Sequence, residues 1–135
     1  MRLRKSSFFD RIPHNLSALQ RAYLVTEKAS EVGFDWPNIG GVLKKLDEEL
    51  REFREALSLR SPRNVREEFG DLLFALVNVA RFLQINPEEA LDKTIEKFIS
   101  RFGYIESSLR RKGKSIQESN LVEMDKFWEA AKKKR

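Results

Sequence analysis

The 135-residue sequence predicts an all-α fold, a bundle of four to five helices joined by short loops. Apolar residues recur every three or four positions in successive stretches, which is the spacing that places side chains on one helix face. Glycine, proline and capping residues stand between these stretches. The alternation of apolar and polar residues that would predict strands is nearly absent. A chain of this length is expected to form one domain with one hydrophobic core.

The first two helices are predicted on either side of a short linker. The first covers residues 16–32, because Gly33 can end a helix in the left-handed conformation. The linker covers residues 33–37, and the second helix covers residues 38–59. Its apolar stripe consists of Val42, Leu43, Leu46, Leu50, Phe53 and Leu57.

Three more helices are predicted in the second half of the chain. The third covers residues 62–85, since proline is accepted in a first turn, and its apolar band is wide enough for two neighbours. The fourth covers residues 87–111 and ends before Gly113. The last covers residues 120–133, where Asn120 and Glu123 have the spacing of a capping box. Residues 1–15 have no clear period and are treated as an N-terminal extension to a domain at 16–135.

Composition excludes several classes of protein. The chain has no cysteine, so it can form neither disulfides nor a thiolate metal site, and it has no cysteine nucleophile. No apolar run is long enough to span a bilayer. The basic residues near the start are not followed by the apolar segment of a secretory signal. A cytoplasmic protein without a membrane partner is therefore expected.

The charge of the chain is basic, with a net value of +5 and a pI near 9.6. Much of the excess lies near the two ends, in residues 2–5 and 132–135. Such a balance fits a nucleic-acid partner, a small substrate that carries phosphate, or a solvated tail. The net charge alone does not distinguish among these three explanations.

Two short acidic clusters lie on the second and third predicted helices. Glu49 and Glu52 share one helix face, with Glu48 beside them, and Glu68 and Asp71 share a face of the next helix. Like charges on one face repel, and a cation between the helices would remove that cost. Carboxylate oxygens favour Mg²⁺, Mn²⁺ or Ca²⁺. Spacing alone leaves two interpretations open, a divalent-metal site and two solvated acidic faces.

Other catalytic patterns are poorly matched. A di-iron carboxylate centre needs Glu-x-x-His twice, but the single histidine, His14, lies outside the predicted helices. There is no Gly-x-Ser-x-Gly sequence. Gly40-Gly41 is not followed by the Gly-Lys-Ser/Thr of a Walker A loop.

Four blocks of the sequence form a recognisable series. They are the loop at 32–37, the acidic pattern at 48–52 with its continuation at 67–81, the basic segment at 96–102, and Phe127-Trp128-Glu129 with Lys132. In this order they resemble the MazG family of all-α nucleoside triphosphate pyrophosphohydrolases, over about residues 19–133, and most of all the C-terminal domain of two-domain MazG proteins. This chain has one copy of the acidic signature, so it is either a stand-alone form or an isolated domain.

The resemblance implies a helical bundle that dimerises through its helices. The broad apolar band of the third helix predicts a homodimer or a higher even oligomer, because apolar patches of that size usually mark interfaces. The resemblance also implies hydrolysis of nucleoside triphosphates, ribo or deoxy, to the monophosphate and pyrophosphate, as nucleotide-pool housekeeping. The implied cofactor is Mg²⁺, for which Mn²⁺ would substitute. Glu48 would orient or deprotonate the attacking water. Carried over by position, the metal ligands would be Glu49, Glu52, Glu68 and Asp71.

The same resemblance implies the substrate contacts. Lys97, Arg101 and Lys132 would contact the phosphates, and Trp128 would lie near the nucleotide. Asn78, two helical turns beyond the second acidic cluster, would be a further polar contact. Without the family, the three cations would be interpreted as solvated charges, and Trp128 equally well as a core residue.

A different class of function remains as an alternative, a non-catalytic basic helical module that binds nucleic acid or a protein partner. The intact set of carboxylates at ligand spacing argues against it, because a binding module does not need them. Nucleic acid is therefore not the expected partner. Pyrophosphate release from mixed triphosphates, with and without Mg²⁺, distinguishes the two functions.

Overall fold

The computed structural model describes residues 8–134. Over these residues the chain forms α-helices and one short 3₁₀ turn and contains no strand, which confirms the predicted all-α class. The helices are α1 (Ala18–Glu31), α2 (Ile39–Leu59), α3 (Pro62–Phe82), α4 (Pro87–Arg111) and α5 (Leu121–Lys133), with the 3₁₀ turn at Ile116–Glu118. None of the described helices combines the length and the apolar character that crossing a membrane requires.

The chain divides into two compact units, Met1–Glu88 and Glu89–Arg135. In the first unit, α3 packs against both α2 and α1. The rings of Phe53 on α2 and Phe69 on α3 lie 5.7 Å apart between their centroids. Ala56 on α2 and Ala75 on α3 are both buried.

Helix starts in the first unit follow the local sequence. Ser17 caps α1 and forms a capping box with Gln20, so α1 begins two residues later than predicted. Asn38 caps α2 by accepting a hydrogen bond from the amide of Gly41 at 3.2 Å. Ser61 caps α3, and the proline after it occupies the first turn, as expected.

The end of α3 differs from the prediction, which placed it at residue 85. The helix ends at Phe82, and Gln84 adopts a left-handed conformation with φ of 58°. The amide of Ile85 then donates to the carbonyl of Ala80 at 2.8 Å, which closes the last turn. The sequence contains no strong signal for a left-handed glutamine. The prediction, which followed the apolar periodicity, therefore extended α3 past its observed end. Gly33, by contrast, ends the first helix region at φ of 89°, as predicted.

In the second unit, Ile105 and Leu109 on α4 and Ala131 on α5 are buried. The rings of Phe98 on α4 and Trp128 on α5 lie 5.1 Å apart between their centroids. Glu123 joins the connecting segment to α5, because its carboxylate accepts hydrogen bonds from Lys112 at 2.9 Å and from Ser119 at 2.6 Å. The Glu123 side chain therefore does not accept a hydrogen bond from the backbone amide of residue 120, and only half of the predicted capping box is formed. The other half is present, since the side chain of residue 120 accepts from the amide of Glu123 at 2.9 Å.

Candidate active site

Carboxylates from α2 and α3 meet at one place in the first unit. Glu49, Glu68 and Asp71 each offer one oxygen, and these oxygens all lie within 4.8 Å of one another. Glu68 and Asp71 are three residues apart on one face of α3, which packs against α2. The structure thus brings together three of the four carboxylates that the sequence suggested as ligands.

Two carboxylate oxygens of these residues are buried without a hydrogen-bond partner among the described residues, Oε2 of Glu49 and Oε2 of Glu68. Glu49 is only 5% exposed. A buried carboxylate oxygen without a partner costs free energy, and a cation would supply that partner. The donors are all carboxylate oxygens, which are the ligands that a hard divalent cation such as Mg²⁺ prefers. The residues present therefore fit a divalent metal ion.

The other two predicted carboxylates lie beside this group rather than within it. Glu52 is exposed and does not belong to the group of three carboxylates. Burial raises the pKa of Glu68, and the negative charges of Glu52, Asp71 and Glu49 raise it further. Glu52 is therefore near enough to interact with Glu68. Glu48 contributes a half-exposed carboxylate on the same turn of α2.

Lys45 is a part of this site that the sequence prediction missed. Its Nζ lies 2.9 Å from Oε1 of Glu49 and 3.8 Å from Oε2 of Glu48. The hydrogen bond to Glu49 raises the pKa of Lys45, so the lysine stays charged. The available signal was its position four residues before Glu49, where an opposite charge forms a helix-face pair.

A cavity of about 720 Å³ opens beside the carboxylates, within the first unit. Glu49, Asp71 and Asn78 are among the polar residues that line it. Aromatic side chains from the linker and from α3 also line it, namely Phe34, Trp36 and Phe74. A cavity with charged and apolar walls suits a ligand that has a charged end and an uncharged, ring-bearing end.

The linker is held against the helices by two contacts. A Cβ on Gly41 would lie 3.1 Å from Cε3 of Trp36, so glycine at that position leaves room for the indole against α2. Asp35 receives two hydrogen bonds from Arg81, Nη1 to Oδ2 at 2.9 Å and Nη2 to Oδ1 at 2.7 Å. The hydrogen bonds from Arg81 hold the pKa of Asp35 below its usual value. Arg81 also donates to Oδ1 of Asn78.

The predicted phosphate-contacting cations lie in the second unit, where they line a cleft of about 610 Å³. Lys97, Arg101 and Lys132 all face this cleft, so the structure brings the three together. Tyr104 and Lys134 line it as well and were not predicted; the Nζ of Lys134 lies 4.6 Å from the centre of the tyrosine ring. The helical spacing of residues 97, 101 and 104 was the signal that could have added the tyrosine.

The side chain of Trp128 contacts both an aromatic ring and a cationic side chain. Its ring centroid lies 5.1 Å from that of Phe98, and the guanidinium carbon of Arg101 lies 5.6 Å from the indole. The residue is half-buried. The contact with Phe98 shows that Trp128 takes part in packing, and its contact with the nucleotide stays a prediction.

Comparison with known proteins identifies the family. Residues 40–104 match the MazG nucleotide pyrophosphohydrolase domain, and that segment contains the carboxylate group described above. Residues 40–104 therefore form a domain of the MazG family. The predicted resemblance is confirmed, and the MazG segment extends from the start of α2 into α4.

Curated relatives support the same assignment. The chain is 43% identical over 129 residues to the nucleoside triphosphate pyrophosphohydrolase/pyrophosphatase MazG of Thermotoga maritima, covering 96% of this chain and 49% of that protein. It is 37% identical over 129 residues to the nucleoside triphosphate pyrophosphohydrolase of Escherichia coli K12, covering 94% and 49%. It is 54% identical over 69 residues to the uncharacterized protein YabN of Bacillus subtilis, covering 51% and 14%. The chain spans about half the length of the first two relatives.

Proposed function

We propose that this chain is a Mg²⁺-dependent nucleoside triphosphate pyrophosphohydrolase. It would hydrolyse ribo- and deoxynucleoside triphosphates between the α- and β-phosphates and release the monophosphate and pyrophosphate, as nucleotide-pool housekeeping. The observation that carries the proposal is the group formed by Glu49, Glu68 and Asp71, with its two buried and unpartnered oxygens. Relatives that carry the name of this activity support it.

In this proposal Glu49, Glu68 and Asp71 hold the cation, and Glu52 completes the set of ligands from α2. When bound, Mg²⁺ supplies positive charge for phosphate oxygens and makes a coordinated water more acidic. Glu48, which is half-exposed, orients that water or takes its proton. Mn²⁺ would substitute, because it accepts the same oxygen ligands.

Lys97, Arg101 and Lys132 are proposed to bind phosphate oxygens and to stabilise charge on the departing pyrophosphate. Their shared cleft supports this role, because three cations facing one cavity create a local positive potential. Trp128 would contact the nucleotide near Arg101. A substrate of this kind is a cytoplasmic metabolite, so we propose a cytoplasmic location.

We also propose a homodimer or a higher even oligomer. Contiguous apolar side chains on helix surfaces usually mark an interface between chains. Every residue from 89 to 100 on α4 is exposed, although four of them are large and apolar. The exposed apolar residues include Leu43, Leu50 and Leu57 on α2, Leu73 and Leu76 on α3, and Leu91, Ile95, Phe98 and Ile99 on α4.

The proposed function is tested by measuring pyrophosphate release from a mixture of triphosphates, with Mg²⁺ and with a chelator. Glu49→Gln removes one charge from the carboxylate group and keeps the shape of the side chain. Glu55→Gln is the matched control, because Glu55 is an exposed residue of the same helix that pairs with Arg51. We expect the control to retain activity and Glu49→Gln to lose it. Failure of the wild-type protein to release pyrophosphate, together with tight binding to nucleic acid, would favour the non-catalytic alternative.

A further inference from the structure

Asn78 is held on α3 with its amide in one orientation. Its Oδ1 accepts two hydrogen bonds from Arg81, one from Nε at 3.1 Å and one from Nη2 at 2.8 Å. A guanidinium has donors and no acceptor, so the amide oxygen must face it. A flipped amide would place N–H groups against N–H groups and would lose both bonds.

Arg81 cannot easily turn away to release this constraint. Its side chain is only 8% exposed, and its two terminal nitrogens are paired with the carboxylate of Asp35. Such a forked pair fixes the plane of the guanidinium. Asp35 lies in the linker, which is itself packed against α2 through Trp36. The orientation of Asn78 is therefore set by a chain of contacts that ends in the linker.

Asn78 lines the same cavity as Glu49 and Asp71. It lies seven residues beyond Asp71, which is two helical turns and about 10 Å along the axis of α3. The aromatic side chains of Phe34 and Trp36 line this cavity too. If the phosphates are held at the carboxylates, the adjoining uncharged nucleoside is the part of the substrate that this cavity would accept.

We infer that Asn78 determines specificity by presenting its Nδ2 hydrogens to an uncharged acceptor of the nucleoside, either a sugar hydroxyl oxygen or an acceptor atom of the base. This inference rests on the proposed function. Because Oδ1 is already used by Arg81, the amide can offer the ligand only donors. A site built around a fixed donor discriminates against ligands that lack the matching acceptor, because the donor is then left unpaired.

The test is Asn78→Asp, which keeps an oxygen for Arg81 and replaces the donor with an acceptor of the same shape. Asn15→Asp is the control; it makes the same chemical change at an exposed position outside this cavity. Values of kcat/KM are measured for ribo, 2′-deoxy and 2′,3′-dideoxy triphosphates with purine and pyrimidine bases. We expect Asn78→Asp to lose on the order of 10- to 100-fold with substrates that carry the acceptor.

The pattern of the loss decides the source of the acceptor. If the loss disappears with the dideoxy substrates, the acceptor is a sugar hydroxyl; if it varies with the base, the acceptor is on the base. An equal loss for every substrate reports charge repulsion from the new carboxylate and overturns the inference, as does no loss at all. If Asn78→Asp does not fold by circular dichroism, Asn78→Ala is measured in the same way and judged by the same pattern.

Failure of this inference can be told apart from failure of the proposed function. A wild-type protein that hydrolyses no triphosphate refutes the proposed function. Calorimetric binding of nucleoside monophosphates to the wild type and to Asn78→Asp then tests the inference without turnover. Equal affinities of the two proteins would overturn it, and weaker binding by Asn78→Asp that depends on the sugar or the base would support it.

Discussion

The Nζ of Lys45 lies 2.9 Å from Oε1 of Glu49, while the other oxygen of the same carboxylate, Oε2, is buried and has no partner among the described residues. One half of this buried carboxylate is thus compensated by a cation of the chain itself. The same residue also belongs to the group with Glu68 and Asp71. The lysine and a bound divalent ion would therefore share the task of neutralising Glu49.

Replacing Lys45 by methionine should destabilise the protein and make its stability depend more strongly on Mg²⁺. The carboxylate of Glu49 would lose its 2.9 Å ion pair with Lys45, at a cost of about 1–2 kcal/mol, since the lysine is partly exposed. Thermal unfolding with and without Mg²⁺ measures both effects. Lys44→Met, at the exposed neighbouring position, is the control. An unchanged Mg²⁺-induced rise in Tm for Lys45→Met would contradict the shared role.

Replacing Asp71 by asparagine should reduce kcat/KM by more than about 100-fold without unfolding the helices. The change removes one negative charge from three crowded carboxylates, so Tm in the absence of Mg²⁺ should stay the same or rise. Turnover and circular dichroism are the two measurements. Glu67→Gln serves as the control, because Glu67 is an exposed neighbour on α3 that pairs with Arg63. Wild-type rates in Asp71→Asn would remove this aspartate from the proposed metal site.

Arg101→Ala should lower kcat/KM by a similar factor for every triphosphate, equivalent to about 1–3 kcal/mol, because a phosphate contact does not depend on the base. Lysine should restore the activity only in part, since it lacks the planar fork of donors. Trp128→Ala should show a loss that varies with the base. The indole lies 5.6 Å from the guanidinium carbon of Arg101, so the two losses should not be additive in the double variant. An Arg101 effect confined to one base would overturn the phosphate assignment.

Replacing Ile95 by glutamate should dissociate the proposed dimer. Ile95 is exposed on α4 within an apolar stripe, and a charge there would be costly to bury against a second copy. Light scattering at micromolar concentration reports the mass, and circular dichroism reports whether the helices persist. Lys93→Glu, on an exposed and charged position of the same helix, controls for the added negative charge. A wild-type protein that is already monomeric and active would refute the dimer.

Replacing Glu123 by glutamine should make the thermal stability of the protein depend less on pH in the acidic range. Hydrogen bonds from Ser119 and Lys112 are the main cause that lowers the pKa of Glu123 to about 2, from its ordinary value of 4.5. A carboxyl group whose pKa is lower in the folded protein stabilises it fully above the unfolded value, and this contribution is lost as pH falls towards 2. Thermal unfolding between pH 6 and 2 should therefore fall less steeply in Glu123→Gln than in the wild type. Asp125→Asn, an exposed change on the same helix, should keep the wild-type slope.

Local signals explain why so much of the fold could be predicted. Serine followed by proline at residues 61–62 and glycine at positions 33 and 113 act on their immediate neighbours, so the sequence alone contains the information. The proximity of Glu49 to Glu68 and Asp71 could also be predicted from the sequence. Two successive helices joined by a short turn must lie side by side, and each carries its acidic face at a fixed spacing.

The parts that could not be predicted depend on contacts distant in sequence. Asp35 and Arg81 are 46 residues apart, and nothing near either residue indicates the other. The same holds for Glu123, whose local spacing favoured a helix cap although two lysines of the preceding segment attract it more strongly. In both cases a charged hydrogen bond formed by tertiary packing overrides the local preference.

The positions of the two tryptophans give each compact unit its own optical signal. Trp36 lies in the first unit against Gly41, and Trp128 lies in the second against Phe98. Trp36→Phe and Trp128→Phe would each leave a single tryptophan, whose emission reports on the unfolding of one unit alone. Coincident denaturation curves from the two variants would mean that the units unfold as one cooperative body, whereas separated midpoints would mean that each has a stability of its own.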